Sequence, residues 1–313
     1  MNKRVAGRKM RNRAVACAVG VALALAGCGN IEPDDGRVHV VVGLYPLAFL
    51  VERIGGDLVD VENLTKPGAE PHDLELTAQQ VGHIAKAHLA VYEATLQPAV
   101  DAAIAEAKPA HALDVTTIVP LQPLATDSDD EHADEEADTH GLDPHIWLSP
   151  LHMVEIAVAI TDQLVAIDPE HEHTYVANRM ILVGDLTNLD GSYFSELRQC
   201  ERTDFITTHA AFGYLAQRYG LTQVPIAGLS PDAEPSPDRV AEIHKIAQDT
   251  GITTIFFETL ASPALAATIA EDLGLRTDVL DPLEGITDDS RGTDYLSVMY
   301  ANLQALKEAN GCQ

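Results

Sequence analysis

The chain has 313 residues, of which 46% are apolar and 22% are charged, a globular composition with enough length for two domains. It carries 20 Lys and Arg residues against 48 Asp and Glu residues, which gives a net charge of −28 at pH 7. This charge excludes ordinary electrostatic binding to nucleic acid or to anionic lipid, because phosphate groups would be repelled, and it favours cations as partners.

The first 27 residues have the pattern of a secretory signal. Six basic residues precede a short apolar run that ends in Leu25-Ala26-Gly27, directly before Cys28. A cysteine after these residues matches the lipobox of bacterial lipoproteins, so Cys28 is the predicted lipidation site; a plain secretory peptide cut nearby is the alternative. We expect residues 28–36 to form a polar tether. The protein is then exported and anchored by lipid to the bacterial cell membrane, facing the periplasm or the extracellular side.

Strands and helices alternate in the next part of the chain, which we assign to an N-terminal α/β lobe at residues 37–149. The hydrophobic pattern predicts strands at 38–44, 58–64 and 88–92, and helices at 46–54, 79–86 and 97–107. Such alternation is typical of parallel βαβ units.

A loop of unusual composition, residues 120–141, interrupts this pattern. Residues 127–140 contain eight acidic residues and two histidines, His132 and His140, and cannot form a core. The functional interpretation is weak secondary capture of metal ions, with the two histidines as participants. A solvated acidic loop is the alternative.

Helical pattern continues through residues 150–198, with a break at Asp168-Pro169. The second of these linking helices would be about 40 Å long, enough to bridge two lobes. Alternation then resumes in a C-terminal lobe at residues 199–313, with strands at 204–208, 222–226, 253–257 and 276–280 and helices at 211–219, 237–249, 263–273 and 295–308. The predicted architecture is therefore α/β, with two parallel-sheet lobes joined by a long rigid helix.

Two cysteines, Cys200 and Cys312, lie in the body of the protein. Because an exported protein meets oxidising conditions, the pair predicts a disulfide. Two unpaired thiols are the alternative.

Metal-capable side chains follow the ends of predicted strands or precede the linking helices at four places, which are His72, His145, His209 and Asp281. Three imidazoles and one carboxylate suit zinc better than calcium or magnesium, and manganese would require more oxygen. A complete set of four protein ligands leaves no position for a reactive water and therefore favours holding the metal over catalysis. Because imidazole must be neutral to bind, we expect binding to weaken below about pH 6.

Glu258 ends the strand at 253–257 and points toward the same cleft. We interpret it as a hydrogen-bond partner of a ligand; ligation of the metal and a purely structural role are the alternatives. The sequence contains no HExxH, GxSxG or phosphate-binding glycine-rich motif.

Three motifs carry a family resemblance: Pro71-His72-Asp73-Leu74-Glu75, Asp143-Pro144-His145-Ile146-Trp147-Leu148, and His209-Ala210-Ala211-Phe212-Gly213-Tyr214. They resemble the cluster A-I solute-binding proteins, the metal receptors of ABC importers, and the ZnuA-like zinc branch in particular. The resemblance implies metal bound between two lobes by His72, His145, His209 and Asp281. Manganese receptors of this family usually carry Glu where His209 stands.

The function implied by the resemblance is an extracytoplasmic receptor, not an enzyme, that binds Zn²⁺ as transported substrate and delivers it to the permease of an ABC importer. A zinc metallochaperone is a further implied partner, the membrane is contacted only through the lipid anchor, and a monomer is expected. A manganese or iron receptor of the same family is the alternative. From a different class, an exported zinc hydrolase would need an open coordination position and a general base, for which Glu258 is the only candidate.

Overall fold

The computed structural model describes residues 36–124, 141–229, 233–260 and 262–313. The predicted signal, Cys28, and the histidines His132 and His140 of the acidic loop lie outside the described residues. Residues 36–313 form one compact unit. The predicted lobe boundaries, at 149/150 and 198/199, therefore stay predictions.

The N-terminal lobe is built on a parallel sheet with the strand order β2-β1-β3-β4. Its strands are β1 (Val38–Val42), β2 (Val59–Asn63), β3 (Leu89–Tyr92) and β4 (Ala112–Asp114). The helices that connect them are α1 (Tyr45–Gly55), α2 (Ala78–Lys86) and α3 (Pro98–Ala107). The short edge strand β4 was not predicted from the sequence.

Two helices link the lobes. A small antiparallel pair, β5 (Gln122–Pro123) and β6 (Leu142–Asp143), precedes α4 (Pro150–Ile167) and α5 (Glu172–Glu196). The helical pattern breaks at Asp168-Pro169 as predicted, since proline has no N–H to donate and clashes with the preceding turn. With 25 residues, α5 is about 38 Å long.

Helix α4 is the one helix of the described ranges that is long and apolar enough to cross a membrane. Its buried residues Met153, Ile156, Ile160 and Leu164 recur at helical spacing. These side chains pack into the protein core, which explains the apolar composition of the helix.

The C-terminal lobe repeats the topology of the first. Its strands are β7 (Asp204–Thr207), β8 (Thr222–Pro225), β9 (Thr254–Phe257) and β10 (Arg276–Val279), and its helices are α6 (Gly213–Tyr219), α7 (Pro237–Thr250), α8 (Ala264–Leu273) and α9 (Tyr295–Asn310). The parallel order β8-β7-β9-β10 matches β2-β1-β3-β4, although the two halves show no convincing repeat in sequence. In such sheets ligands bind past the carboxyl ends of the strands, where the strand order reverses. The predicted two-lobe α/β architecture is confirmed.

One apolar core continues through both lobes. It contains Leu50 of α1, Ile160 of α4, Leu189 of α5, Phe205 of β7 and Leu303 of α9. The predicted disulfide between Cys200 and Cys312 is confirmed, and it joins the chain just after α5 to the chain just after α9. The lobes are therefore held together both by packing and by a covalent bond.

Candidate metal centre

Three histidines from three separate segments converge between the lobes. His72 lies in the loop between β2 and α2, His145 lies between β6 and α4, and His209 follows β7. The side chains of His145 and His209 are fully buried, whereas that of His72 keeps 14% of its exposure. A ligand would therefore approach from the side of His72.

Glu284, in the loop that follows β10, completes the group. Its Oε1 lies 3.6 Å from His72 Nε2, 3.5 Å from His145 Nε2 and 3.7 Å from His209 Nε2. The Nε2 atoms of His145 and His209 are 3.4 Å apart. Within the described part of the chain, no other set of three or more His, Cys, Asp or Glu residues brings ligand atoms this close together.

These spacings fit a tetrahedral zinc ion. Ligand atoms placed about 2.0–2.1 Å from zinc at tetrahedral angles are about 3.3 Å apart, so small movements would bring the four atoms to the metal. His72 Nε2 and both carboxylate oxygens of Glu284 are buried without a hydrogen-bond partner. Burial of such groups is costly unless something binds them, and a divalent cation satisfies all of them at once.

Carboxylates behind two of the histidines set the orientation of the rings. Asp143 Oδ1 accepts hydrogen bonds from His145 Nδ1, at 2.8 Å, and from His145 N, at 3.0 Å. Glu258 Oε1 contacts His209 Nδ1 at 2.5 Å and accepts a hydrogen bond from Thr208 Oγ1 at 2.6 Å. With the Nδ1 atoms engaged in this way, both Nε2 atoms face the centre of the site, where each can bind an ion once it has lost its proton. Glu258 thus lies where the sequence interpretation placed it, beside a histidine of the group.

The charges of the site favour an added cation or proton. Burial alone would lower the pKa of His145, but its hydrogen bond to the Asp143 carboxylate and the proximity of Glu284 raise the pKa to about 10. Burial alone would raise the pKa of Glu284, but His145 and His72 hold it well below its usual range. Burial and the charge of Glu284 raise the pKa of the neighbouring Glu70 to about 7. A proton on the imidazoles and a metal ion therefore compete for the same place.

Comparison with known proteins places the chain in a family. Residues 40–309 match the family model described as "Zinc-uptake complex component A periplasmic", named ZnuA. The chain belongs to the ZnuA family.

Curated relatives and solved structures of this ZnuA-family chain carry related names. The "Zinc-binding lipoprotein AdcA" of Streptococcus pneumoniae is 39% identical over 294 residues, which are 92% of this chain and 58% of that protein. The "High-affinity zinc uptake system protein ZnuA" of Bacillus subtilis is 36% identical over 303 residues, covering 92% and 94%. The crystal structure of the Zn(II)-bound ZnuA-like domain of Streptococcus pneumoniae AdcA superposes with a TM-score of 0.74 and 36% identity, over 88% of this chain and 99% of that one. This chain thus spans little more than half of the AdcA proteins it matches.

In the ZnuA-family chain, Asp281 does not lie in the ligand group that the sequence predicted for it. Its Oδ1 accepts a hydrogen bond from Leu283 N at 2.8 Å, and Glu284 occupies the fourth place around the histidines. Asp281 follows β10 closely, which is why the strand-end argument selected it. The chain then turns and brings Glu284, three residues later, to the centre.

The sequence analysis missed Glu284 and the role of Asp143. Asp143 stands two residues before His145, a spacing at which an aspartate side chain commonly hydrogen-bonds the backbone N–H two residues on, so this contact could have been predicted. No such signal exists for Glu284. A further buried acid, Glu93, directly follows β3; burial raises its pKa well above the usual value, and the sequence contains no feature that identified it.

Proposed function

We propose that this chain is an extracytoplasmic receptor that binds one Zn²⁺ between its lobes and delivers it to the permease of an ABC importer. The observation that carries the proposal is the convergence of three imidazole Nε2 atoms on one buried carboxylate oxygen, with separations of 3.4–3.7 Å. The names of its relatives, a zinc-binding lipoprotein and a zinc uptake protein, support the same substrate.

The proposed ligands are His72, His145, His209 and Glu284. Two come from each lobe, so the ion bridges them. Four protein ligands complete the tetrahedral coordination of zinc and leave no position for an activated water. The site is therefore suited to capture and transfer of the ion and not to hydrolysis.

The cellular setting follows from the sequence and the family. We infer that the mature protein is held on the outer side of the cell membrane by lipid on Cys28 and works as a monomer, because every proposed ligand comes from one chain. Its partner is the zinc permease, and a zinc metallochaperone can load it. The acidic segment with His132 and His140 is proposed to bind further zinc weakly.

The test is metal titration of the purified, metal-stripped protein. Zn²⁺ and Mn²⁺ are titrated in competition with a chromophoric chelator, using the wild type, His209→Ala and His83→Ala. We expect one tight zinc equivalent, a loss of at least a hundredfold in His209→Ala, and much weaker binding of Mn²⁺. His83→Ala is the matched control, because His83 contacts Glu62 on the surface and lies outside the ligand group, and it should bind zinc like the wild type.

Two results would overturn the proposal. If Mn²⁺ bound as tightly as Zn²⁺, the chain would be a manganese receptor of the same fold. If His209→Ala kept the wild-type affinity, the ion would bind elsewhere in the molecule.

A further inference from the structure

The turn that presents Glu284 has an unusual backbone. Leu283, directly before it, has φ = +62°, in the left-handed region that leucine rarely adopts, and its side chain is completely buried. A conformation of this kind persists only where its surroundings hold it in place, and such positions cluster at functional sites. The contacts around the turn therefore decide where the Glu284 carboxylate lies.

Two buried side chains hold the beginning of this turn. Asp281 Oδ1 accepts a hydrogen bond at 2.8 Å from the backbone N–H of Leu283, the residue with positive φ. Asn302 of α9 fixes Asp281 itself at two points: its Oδ1 accepts from Asp281 N at 2.9 Å, and its Nδ2 donates to Asp281 O at 2.7 Å. Asp281 and Asn302 are 1% and 2% exposed, so water does not compete for these bonds.

The turn is also tied to the segment that carries another proposed ligand. Trp147 Nε1 donates to Pro282 O at 2.7 Å, and Trp147 O accepts from Tyr295 Oη of α9 at 2.6 Å. Trp147 lies two residues after His145. The position of Glu284 is thus set relative to His145 by a short chain of buried hydrogen bonds.

We propose that Asp281 and Asn302 are positioning residues for metal binding: they hold the left-handed turn at Leu283 and thereby place Glu284 Oε1 opposite the three imidazoles, without contacting the metal. This inference rests on the proposed function, in which Glu284 is a ligand. In this inference Asp281 accepts a hydrogen bond from one backbone N–H, that of Leu283. The amide oxygen of an asparagine can accept the same bond.

The experiment measures zinc dissociation constants by chelator competition for Asp281→Ala, Asp281→Asn and Glu284→Ala. We expect Asp281→Ala to weaken zinc binding about 10- to 100-fold, the range typical of residues that orient a metal ligand. Asp281→Asn should stay within about threefold of the wild type, because its amide oxygen accepts the same hydrogen bond from Leu283 N. A metal ligand would behave differently, since replacing a carboxylate by an amide removes the charge that binds the ion.

A second set of variants separates positioning from general damage to the fold. In the Asp281→Ala/Glu284→Ala double variant, the loss of the Asp281 carboxylate should add no more than about twofold to the effect of Glu284→Ala, because Asp281 acts only through Glu284. Asn302→Leu, alone and combined with Glu284→Ala, should follow the same pattern. The Asn302→Leu variants replace the Asp281→Ala variants in this experiment if Asp281→Ala does not fold.

Clear results would overturn the inference. Equal weakening by Asp281→Asn and Asp281→Ala would make the Asp281 carboxylate itself a ligand. If Asp281→Ala or Asn302→Leu weakened zinc binding as strongly in the Glu284→Ala variant as in the wild type, the substituted residue would support the whole site and not Glu284 in particular. If Glu284→Ala alone retained wild-type affinity, the ligand assignment of the proposed function would fail, and with it the premise of this inference.

Discussion

At the scale of single residues, Asp143 and Glu258 have equivalent positions on the two sides of the proposed metal site. Each is a buried carboxylate behind a buried histidine, one in the N-terminal lobe and one in the C-terminal lobe. Each engages Nδ1 and leaves Nε2 for the ion, and a negative charge behind the ring makes the imidazole a stronger ligand. The same charges raise the affinity of the rings for protons.

Zinc binding should therefore depend on pH over a wider range than free histidine suggests. The pKa of His145 is raised to about 10, so before zinc binds its imidazole is protonated throughout the neutral range, and the ion must displace that proton. We expect the apparent dissociation constant to fall at least tenfold for each unit by which the pH rises between pH 6 and pH 8, because the pKa of His209 is raised as well.

This dependence is measured by chelator competition at several pH values, with the release of at least one proton per zinc checked by calorimetry in buffers of different ionisation enthalpy. A dissociation constant that is flat above pH 6.5 would contradict it. That flat profile is the behaviour expected from the sequence alone, in which histidine has its ordinary pKa of about 6.5.

The residue scale also shows how far sequence reasoning reaches into the site. His72 and His209 were selected because they follow predicted strands, and His145 because it directly precedes the linking helices; the structure brings these three together. The fourth residue, Glu284, depends on a positive φ at Leu283, and nothing about a leucine predicts that conformation. Because the loop after β10 turns within three residues, the residue that reaches the histidines is not the one next to the end of the strand. Position relative to a strand end therefore does not predict it.

At the scale of secondary structure elements, the sequence predicted most strands and helices to within a few residues. Strands such as β1, β3 and β9 are mostly buried and largely apolar, and helices begin at recognisable signals such as Ser236-Pro237 and the capping box of Thr77. The edge strand β4 was missed because it has only three residues, one of them buried. So short an element owes its conformation to pairing with β3 and not to its own sequence.

Helix α6 packs closely against Asp143 of β6, and a side chain at its first residue, Gly213, would meet the Asp143 carboxylate. A Cβ at Gly213 would lie 2.5 Å from Asp143 Oδ2. We expect Gly213→Ala to displace the Asp143 carboxylate from His145 and to weaken zinc binding about tenfold, as measured by the same chelator competition.

The control for this substitution is Gly184→Ala in the exposed part of α5, where a Cβ meets nothing within 4 Å. It should stabilise the protein by up to about 1 kcal/mol, because alanine is the better helix former, and leave zinc affinity unchanged. Wild-type zinc affinity in Gly213→Ala would show that Asp143 tolerates displacement and does not orient His145.

At the scale of the whole molecule, the lobes share one core, and the proposed site lies between them with two ligands from each. Zinc should therefore stabilise the molecule as a unit. With free zinc at about a thousand times the dissociation constant, binding adds about 4 kcal/mol to the free energy of unfolding. For a protein of this size we expect the midpoint of thermal unfolding to rise by about 8 °C in a single transition.

Calorimetric scans with zinc, with magnesium and after treatment with a chelator test this expectation. Magnesium should produce no comparable shift, since its preferred octahedral oxygen environment does not match three imidazoles and one carboxylate. Two separate transitions, with zinc raising only one of them, would mean that the site belongs to a single lobe.

The continuous core also bears on how quickly zinc leaves. Separating the lobes would expose apolar surface that includes the stacked rings of Phe49 in α1 and Tyr295 in α9, so we expect an ion to be released mainly by the departure of individual ligands. For a dissociation constant of about 1 nM and an association rate constant of about 10⁷ M⁻¹s⁻¹, the mean residence time is on the order of a hundred seconds. In the proposed transport role, a cycle faster than that would require the permease to accelerate the exit of the ion as well as to receive it.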